Sequence, residues 1–139
     1  MAKILIIDDS SELLEILQYF LEDAGHTVAT LESASSLQKQ LDGFKPEVIL
    51  LDVILKKDNG REICRELKNN ASTKQIPIIL MSANNKNLEN FKECGADETL
   101  SKPFDLNDII EKIKRVINTA QVVLSPFLLG TIVVAVMQI

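Results

Sequence analysis

Tryptophan is absent from the 139 residues, tyrosine and histidine occur once each, and cysteine occurs twice. Cys64 and Cys94 share no CxxC spacing and have no histidine nearby, which leaves a metal site without ligands. A chain of this length needs no disulfide framework, so both are expected as free thiols, half buried on helices, in a reducing compartment. The single histidine, His26, follows Gly25 at an expected helix exit and reads as a turn residue. No Gly-rich loop follows the first apolar run, so a nucleotide- or flavin-binding module lacks its phosphate cradle. Basic residues form no long cluster and the formal net charge is -5, which argues against direct nucleic-acid binding. No basic stretch followed by an apolar one opens the chain, so no signal peptide is expected and the location is read as cytoplasmic.

Hydrophobic residues at 46% and charged residues at 25% suit one compact domain with a full core. Ile4 to Ile7, Val48 to Leu51 and Ile76 to Met81 are short continuous apolar runs, the pattern of strands covered on both faces. Pro77 lies near the start of the last of these, where a missing donor is tolerated. Thr27 to Leu31 and Glu98 to Leu100 are weaker strands. Helices are expected from Ser10, as N-cap, through Leu21 (Leu13, Leu14, Ile16, Leu17, Phe20 and Leu21 at helical spacing), from Ser33 to Leu41 ended by Gly43, from Arg61 to Asn70, from Lys86 to Cys94, and from Leu106 to Ile117. Strict β-α alternation predicts an α/β fold, a parallel five-stranded sheet with helices on both faces.

In an open sheet of this class a ligand binds beyond the carboxyl ends of the strands, where the strand order reverses. For the flavodoxin-like order 2-1-3-4-5 that point lies between strands one and three. Asp8 and Asp9 end strand one and Asp52 ends strand three; Ser82 ends strand four and Lys102 follows strand five. Three carboxylates this close repel unless a cation neutralises them, and a hard divalent ion such as Mg²⁺ suits oxygen ligands beside phosphate. Lys102 adds a point charge for an anion and Ser82 a small hydroxyl donor. Singly, each residue has a plain alternative: helix cap for Asp8, Asp9 and Ser82, loop acid for Asp52, surface lysine for Lys102. Their coincidence at the tips of strands one, three, four and five favours a receptacle for a phosphoryl group on a carboxylate.

With these residues placed, the chain resembles the receiver domain of two-component response regulators over about residues 2–119. The likeness rests on Ile4 to Ser10 (ILIIDDS), Val48 to Val53 (VILLDV), Asp58-Asn59-Gly60, Ile76 to Ala83 (IPIILMSA) and Gly95 to Phe104 (GADETLSKPF). The resemblance implies that Asp52 accepts a phosphoryl group from a sensor histidine kinase or phosphotransfer protein. It also implies that Asp9 and Asp52 bind Mg²⁺ with the backbone carbonyl of Ile54, with Asp8 acting through water. By the same likeness Ser82, the Ala83 N–H and Lys102 would meet the phosphoryl oxygens, Lys102-Pro103 would be cis, and signalling would run through partner binding rather than turnover. Two positions depart from the pattern. Thr99 stands where an aromatic residue usually swings, and Lys56 stands where proline is common; Lys56 and Lys57 read as solvated.

Two other classes compete. An aspartyl-phosphate-forming phosphatase would want a second acid two residues after the nucleophile, and Ile54 cannot move a proton. A pseudo-receiver that binds without phosphorylation is favoured by Thr99 and opposed by the complete site. Residues 1–120 are expected to be the receiver unit. From 121 to 139 the chain is uncharged, and Val122 to Ile139 is largely apolar, which fits a packing element, the start of a further segment, or a membrane anchor of slightly less than the usual ~20 residues. Lys112, Lys114 and Arg115 just before it match the positive-inside pattern. If it is an anchor, the full chain sediments with lipid vesicles and a chain ending at Ala120 does not; equal sedimentation of the two ends that reading.

Overall fold

The apolar runs extend and pair as expected. β1 (Lys3–Ile7), β2 (Thr27–Leu31), β3 (Val48–Asp52), β4 (Ile78–Ser82) and β5 (Glu98–Ser101) form one parallel sheet in the order 2-1-3-4-5, in a computed structural model that describes residues 1–128 and side chains through residue 120. Every residue from Ile4 to Ile7 and from Val48 to Leu51 has no exposed surface, because successive side chains enter opposite layers and both layers are covered. Ile4, Ile6, Val48, Leu50, Ile79 and Met81 pack with α1 (Ser11–Asp23) and α4 (Leu106–Leu128), through Leu14, Leu17, Leu21, Ile109 and Ile113. Leu5, Ile7, Ile49, Leu51, Ile78 and Leu80 pack with α2 (Leu37–Phe44) and α3 (Gly60–Lys68), through Leu41, Ile63, Cys64 and Leu67. Each such side chain contributes about 1.5–3 kcal/mol by leaving water.

Capping explains where α1 starts and stops. Ser10 Oγ accepts from the Leu13 N–H at 3.3 Å. At the other end Gly25 turns left-handed at φ 99°, its N–H reaching Glu22 O and the His26 N–H reaching Leu21 O, both at 3.0 Å. These are the paired bonds of a Schellman closure, which favours glycine at that position.

Four expectations are corrected. The segment 86–94 is no α-helix but two short 3-10 turns, Asn85–Leu88 and Phe91–Cys94; Glu89 between them is extended and Asn90 is left-handed at φ 53°, so no α ladder propagates. α2 runs through Gly43 to Phe44, after a separate 3-10 turn at Ala34–Ser36, and it is Lys45, left-handed before Pro46, that closes it. α4 continues past Ile117 to Leu128; no glycine or proline interrupts residues 106–125, and Pro126 falls in its last turn. Ile16 was expected inward and is 56% exposed. Residues 129–139 of the apolar tail lie outside the described residues, and among the described residues no helix is long and apolar enough to cross a membrane.

Both cysteines are free and buried, more deeply than half. Burial, followed by the neighbouring Cys94, pushes the Cys64 thiol up to about 12. His26 is more than a turn residue: its Nδ1 accepts the Ala2 N–H at 3.0 Å and so ties the start of β1 to the start of β2. Burial first, then the charges of the N-terminus and Lys114, hold the imidazole below its usual range, against a smaller opposing pull from Glu47. A histidine depressed in the folded state binds its proton first in the unfolded chain as pH falls through about 6.5, so its contribution is present above that pH and lost below it. Urea unfolding at about pH 7.5 and about pH 5.5 therefore shows a larger loss of stability for the wild type than for His26→Gln, whose amide can accept the same bond without titrating.

Candidate functional site

The parallel register sets the site. Ile7 pairs with Leu51, so Asp8 and Asp9 leave the sheet beside Asp52, and Asp52 pairs with Met81, so Ser82 lies one step beyond it. Ser82 pairs with Ser101, and the Lys102 N–H donates to Ser82 O at 2.8 Å. Four strand tips thus bring every residue singled out above to one edge of the sheet. The Lys102-Pro103 bond is cis.

Lys102 is the centre of the cluster. Its Nζ donates to Asp8 Oδ2 at 2.6 Å and to Asp52 Oδ2 at 3.0 Å. Asp8 has no exposed surface and Asp52 is 6% exposed, so these are bonds between desolvated charges, where removing one partner is costly. The remaining oxygens are also used: Asp8 Oδ1 accepts the Ser10 N–H at 2.9 Å, and Asp52 Oδ1 accepts the Ile54 N–H at 3.2 Å. Burial pushes the Asp52 carboxyl up; the Lys102 hydrogen bond opposes this, and the charge of Asp8 adds to it. For Lys102, burial works to lower the ammonium, but the hydrogen bonds and charges of Asp8 and Asp52 together outweigh it and hold it above the ordinary lysine value.

Asp9 completes the set. One carboxylate oxygen from each of Asp8, Asp9 and Asp52 can be chosen so that all lie within 4.8 Å of one another, a spacing that a single hard cation can bridge. Three carboxylates against one ammonium leave a formal charge of minus two, which fits a divalent ion. Ile54 also suits this donor set. Its antiparallel bridge with Asn59 is made by Gly60 N–H to Val53 O at 2.7 Å and Leu55 N–H to Asp58 O at 3.2 Å, so the Ile54 carbonyl is not spent in that bridge. The Ile54 side chain is 59% exposed and offers no proton-transfer group beside Asp52.

Ser82 is almost fully buried. Its Oγ accepts the Asn84 N–H at 3.1 Å and faces Asn87 Nδ2 at 3.4 Å, which leaves the hydroxyl proton to be donated elsewhere. Ala83 is exposed just beyond it, and Lys56 and Lys57 are exposed on the 53–59 loop. Thr99 is half-buried on β5, and its carbonyl accepts from Lys112 Nζ of α4 at 2.7 Å.

Gly60 is a residue whose importance the sequence hid. The helix expected from Arg61 starts one residue earlier, with Gly60 as the first residue of α3, capped by Asn59. A Cβ there would collide with the Asp52 carbonyl oxygen and crowd the Val53 Cα. Glycine is required by close approach, not by a left-handed turn. Nothing local distinguishes the two cases.

Known proteins share this fold. The family model for the response regulator receiver domain matches residues 4–114. The chain is 30% identical over 122 residues to the alkaline phosphatase synthesis transcriptional regulatory protein PhoP of Bacillus subtilis, covering 86% of this chain and 50% of that protein. It is 33% identical over 120 residues to a transcriptional regulatory protein CpxR homolog of Haemophilus influenzae, covering 84% and 51%. The chain thus spans about half the length of these relatives. Among solved structures, the chemotaxis response regulator CheY4 of Vibrio cholerae superposes with a TM-score of 0.76 at 26% identity, covering 84% of this chain and 98% of that one. A response regulator from Chloroflexus aurantiacus gives 0.78 at 25% identity, covering 84% and 98%.

Substituting Gly60→Ala is expected to cost about 1–3 kcal/mol, because the new methyl displaces backbone at the Asp52 tip. A urea titration checks this: the midpoint falls while the slope is unchanged.

Proposed function

The chain belongs to the response regulator receiver domain family, and on that premise we propose that Asp52 accepts a phosphoryl group from a sensor histidine kinase or phosphotransfer protein, with Mg²⁺. The observation that carries this reading is the Lys102 ammonium shared between the Asp8 and Asp52 carboxylates in a crevice that Asp9 completes. Asp9, Asp52 and the Ile54 carbonyl would hold the ion, with Asp8 acting through water. When bound, Mg²⁺ neutralises the acids and the oxygens of the incoming group.

The chain's own residues do the rest. An Asp52 carboxylate oxygen attacks phosphorus, the new O–P bond forms as the P–N bond to the donor histidine breaks, and the imidazole leaves with the electron pair. The Ile54 N–H holds Asp52 Oδ1 and so orients the carboxylate for attack. Lys102 is already poised at Asp52 Oδ2 and follows the developing charge onto the phosphoryl oxygens. Ser82 donates its free hydroxyl proton, and Ala83 its N–H, to the same oxygens. No side chain two positions beyond Asp52 can activate water, since that residue is Ile54. The acyl phosphate is therefore read as a signal rather than a turnover intermediate. Signalling proceeds by partner binding.

The receiver unit is assigned to residues 1–120 in the cytoplasm, with 121–139 as an added apolar element. Direct nucleic-acid binding is not assigned to this chain; the DNA-binding dual master transcriptional regulator RpaA of Synechocystis, 29% identical, is matched over 48% of its own length. A second reading, a receiver-like interaction module that works without phosphate, is favoured by Thr99 and by 3-10 turns in place of the expected helix at 86–94.

Incubation with phosphoramidate and Mg²⁺ followed by intact-mass measurement separates the two. Gain of one phosphoryl mass by the wild type, absent in Asp52→Asn and without a divalent ion, supports the phosphoacceptor. A wild type that gains no mass under any divalent ion supports the interaction module instead.

A further inference from the structure

α3 begins with a side chain that does not suit its place. Arg61 lies in the first turn of Gly60–Lys68, where unbonded N–H groups make the helix end positive and a cation is unfavourable. The guanidinium turns away and crosses to the segment between β4 and β5. Nη1 donates to the carbonyls of Asn87 at 3.2 Å and Glu89 at 2.9 Å, and Nη2 donates to that of Asn90 at 2.9 Å. That segment has only two 3-10 turns and a left-handed Asn90, so the carbonyls of Asn87 and Glu89 lack the partners an α-helix would supply, while that of Asn90 also accepts the Glu93 N–H at 3.0 Å. Arg61 provides them from outside. A planar fork spreads its donors over two nitrogens and spans all three carbonyls in one fixed geometry, which a lysine's single nitrogen does less well.

The same segment faces the crevice. Asn84 N–H and Asn87 Nδ2 both approach Ser82 Oγ, and Asn85 Oδ1 accepts from Ser101 Oγ at 2.8 Å, next to Lys102. On the other side, Arg61 directly follows Gly60, whose N–H is bonded to Val53 O beside Asp52. One side chain therefore links the loop that follows Asp52 to the loop that follows Ser82.

We propose that Arg61 is a positioning residue for Ser82, setting the Ser82 hydroxyl against Asp52 by anchoring the 87–90 backbone. Its kinetic consequence rests on the reading of Asp52 as phosphoryl acceptor; its structural content does not. Losing the three bonds frees Asn87, lets Ser82 Oγ turn, and uncouples the 53–60 loop from the 84–90 segment.

Two measurements on the full-length chain test this. In ¹⁵N-resolved spectra without phosphodonor, Arg61→Ala shifts the Ser82, Asn84 and Asn87 amides and speeds hydrogen exchange across 84–90 by about tenfold or more, while β1 and β3 amides are unmoved; Arg61→Lys falls between. With phosphoramidate and Mg²⁺, Arg61→Ala lowers the maximal phosphorylation rate about tenfold at an unchanged half-saturating donor concentration. In a Ser82→Ala background the same substitution changes the rate by less than about twofold, since the group it positions is gone. An unshifted Ser82 amide in Arg61→Ala overturns the proposal, as does a rate loss that persists undiminished without the Ser82 hydroxyl. A wild type that takes up no phosphate overturns the phosphoacceptor reading alone, and the spectra still decide Arg61.

Discussion

The structure at the carboxyl edge of the sheet depends on one ammonium group. Lys102 lies within 3.0 Å of two carboxylates, one of them, Asp8, wholly buried. Without a cation between them, two desolvated acids from adjacent strands would repel each other and be driven to take up protons. With it, the strand tips can converge, and the crevice keeps a residual negative charge. A site built this way is stable enough to exist before any ligand arrives, yet favours one carrying positive charge.

That arrangement has no meaning apart from the sheet. Asp8, Asp52, Ser82 and Lys102 are far apart in sequence, and parallel pairing in the order 2-1-3-4-5 makes them neighbours. Two buried layers hold the register. A slip by one residue along β3 would turn Ile49 and Leu51 into the opposite layer and carry Asp52 away from Lys102. Core packing and site geometry are therefore one constraint. The closeness of the 53–60 loop to the Asp52 tip, where only a glycine fits, extends it from the strand to the start of α3.

The segment between β4 and β5 follows a different logic. Where a helix was expected, residues 84–90 hold four asparagines, of which Asn84 accepts the Lys86 N–H and Asn87 reaches Ser82 Oγ, local bonds that compete with an α ladder. The result is a shape held from outside, by Arg61 on one side and Ser101 on the other. Thr99, on β5, has its carbonyl tied to Lys112 of α4.

Most of the fold was legible without coordinates. Continuous β-branched runs require strands buried on both faces, and their alternation with helical periodicity permits few topologies; carboxylates after strands one and three then fall at the reversal point by topology alone. The sequence by itself thus determined the sheet, its order and the identity of the acidic cluster, because these depend on periodicity and chain connectivity. It did not determine what the tertiary structure decided. The His26 bond to Ala2, the steric demand at Gly60 and the reach of Arg61 all arise from groups distant along the chain. Local residue preferences carry no information about what will be packed against them, and only the assembled fold supplies those partners.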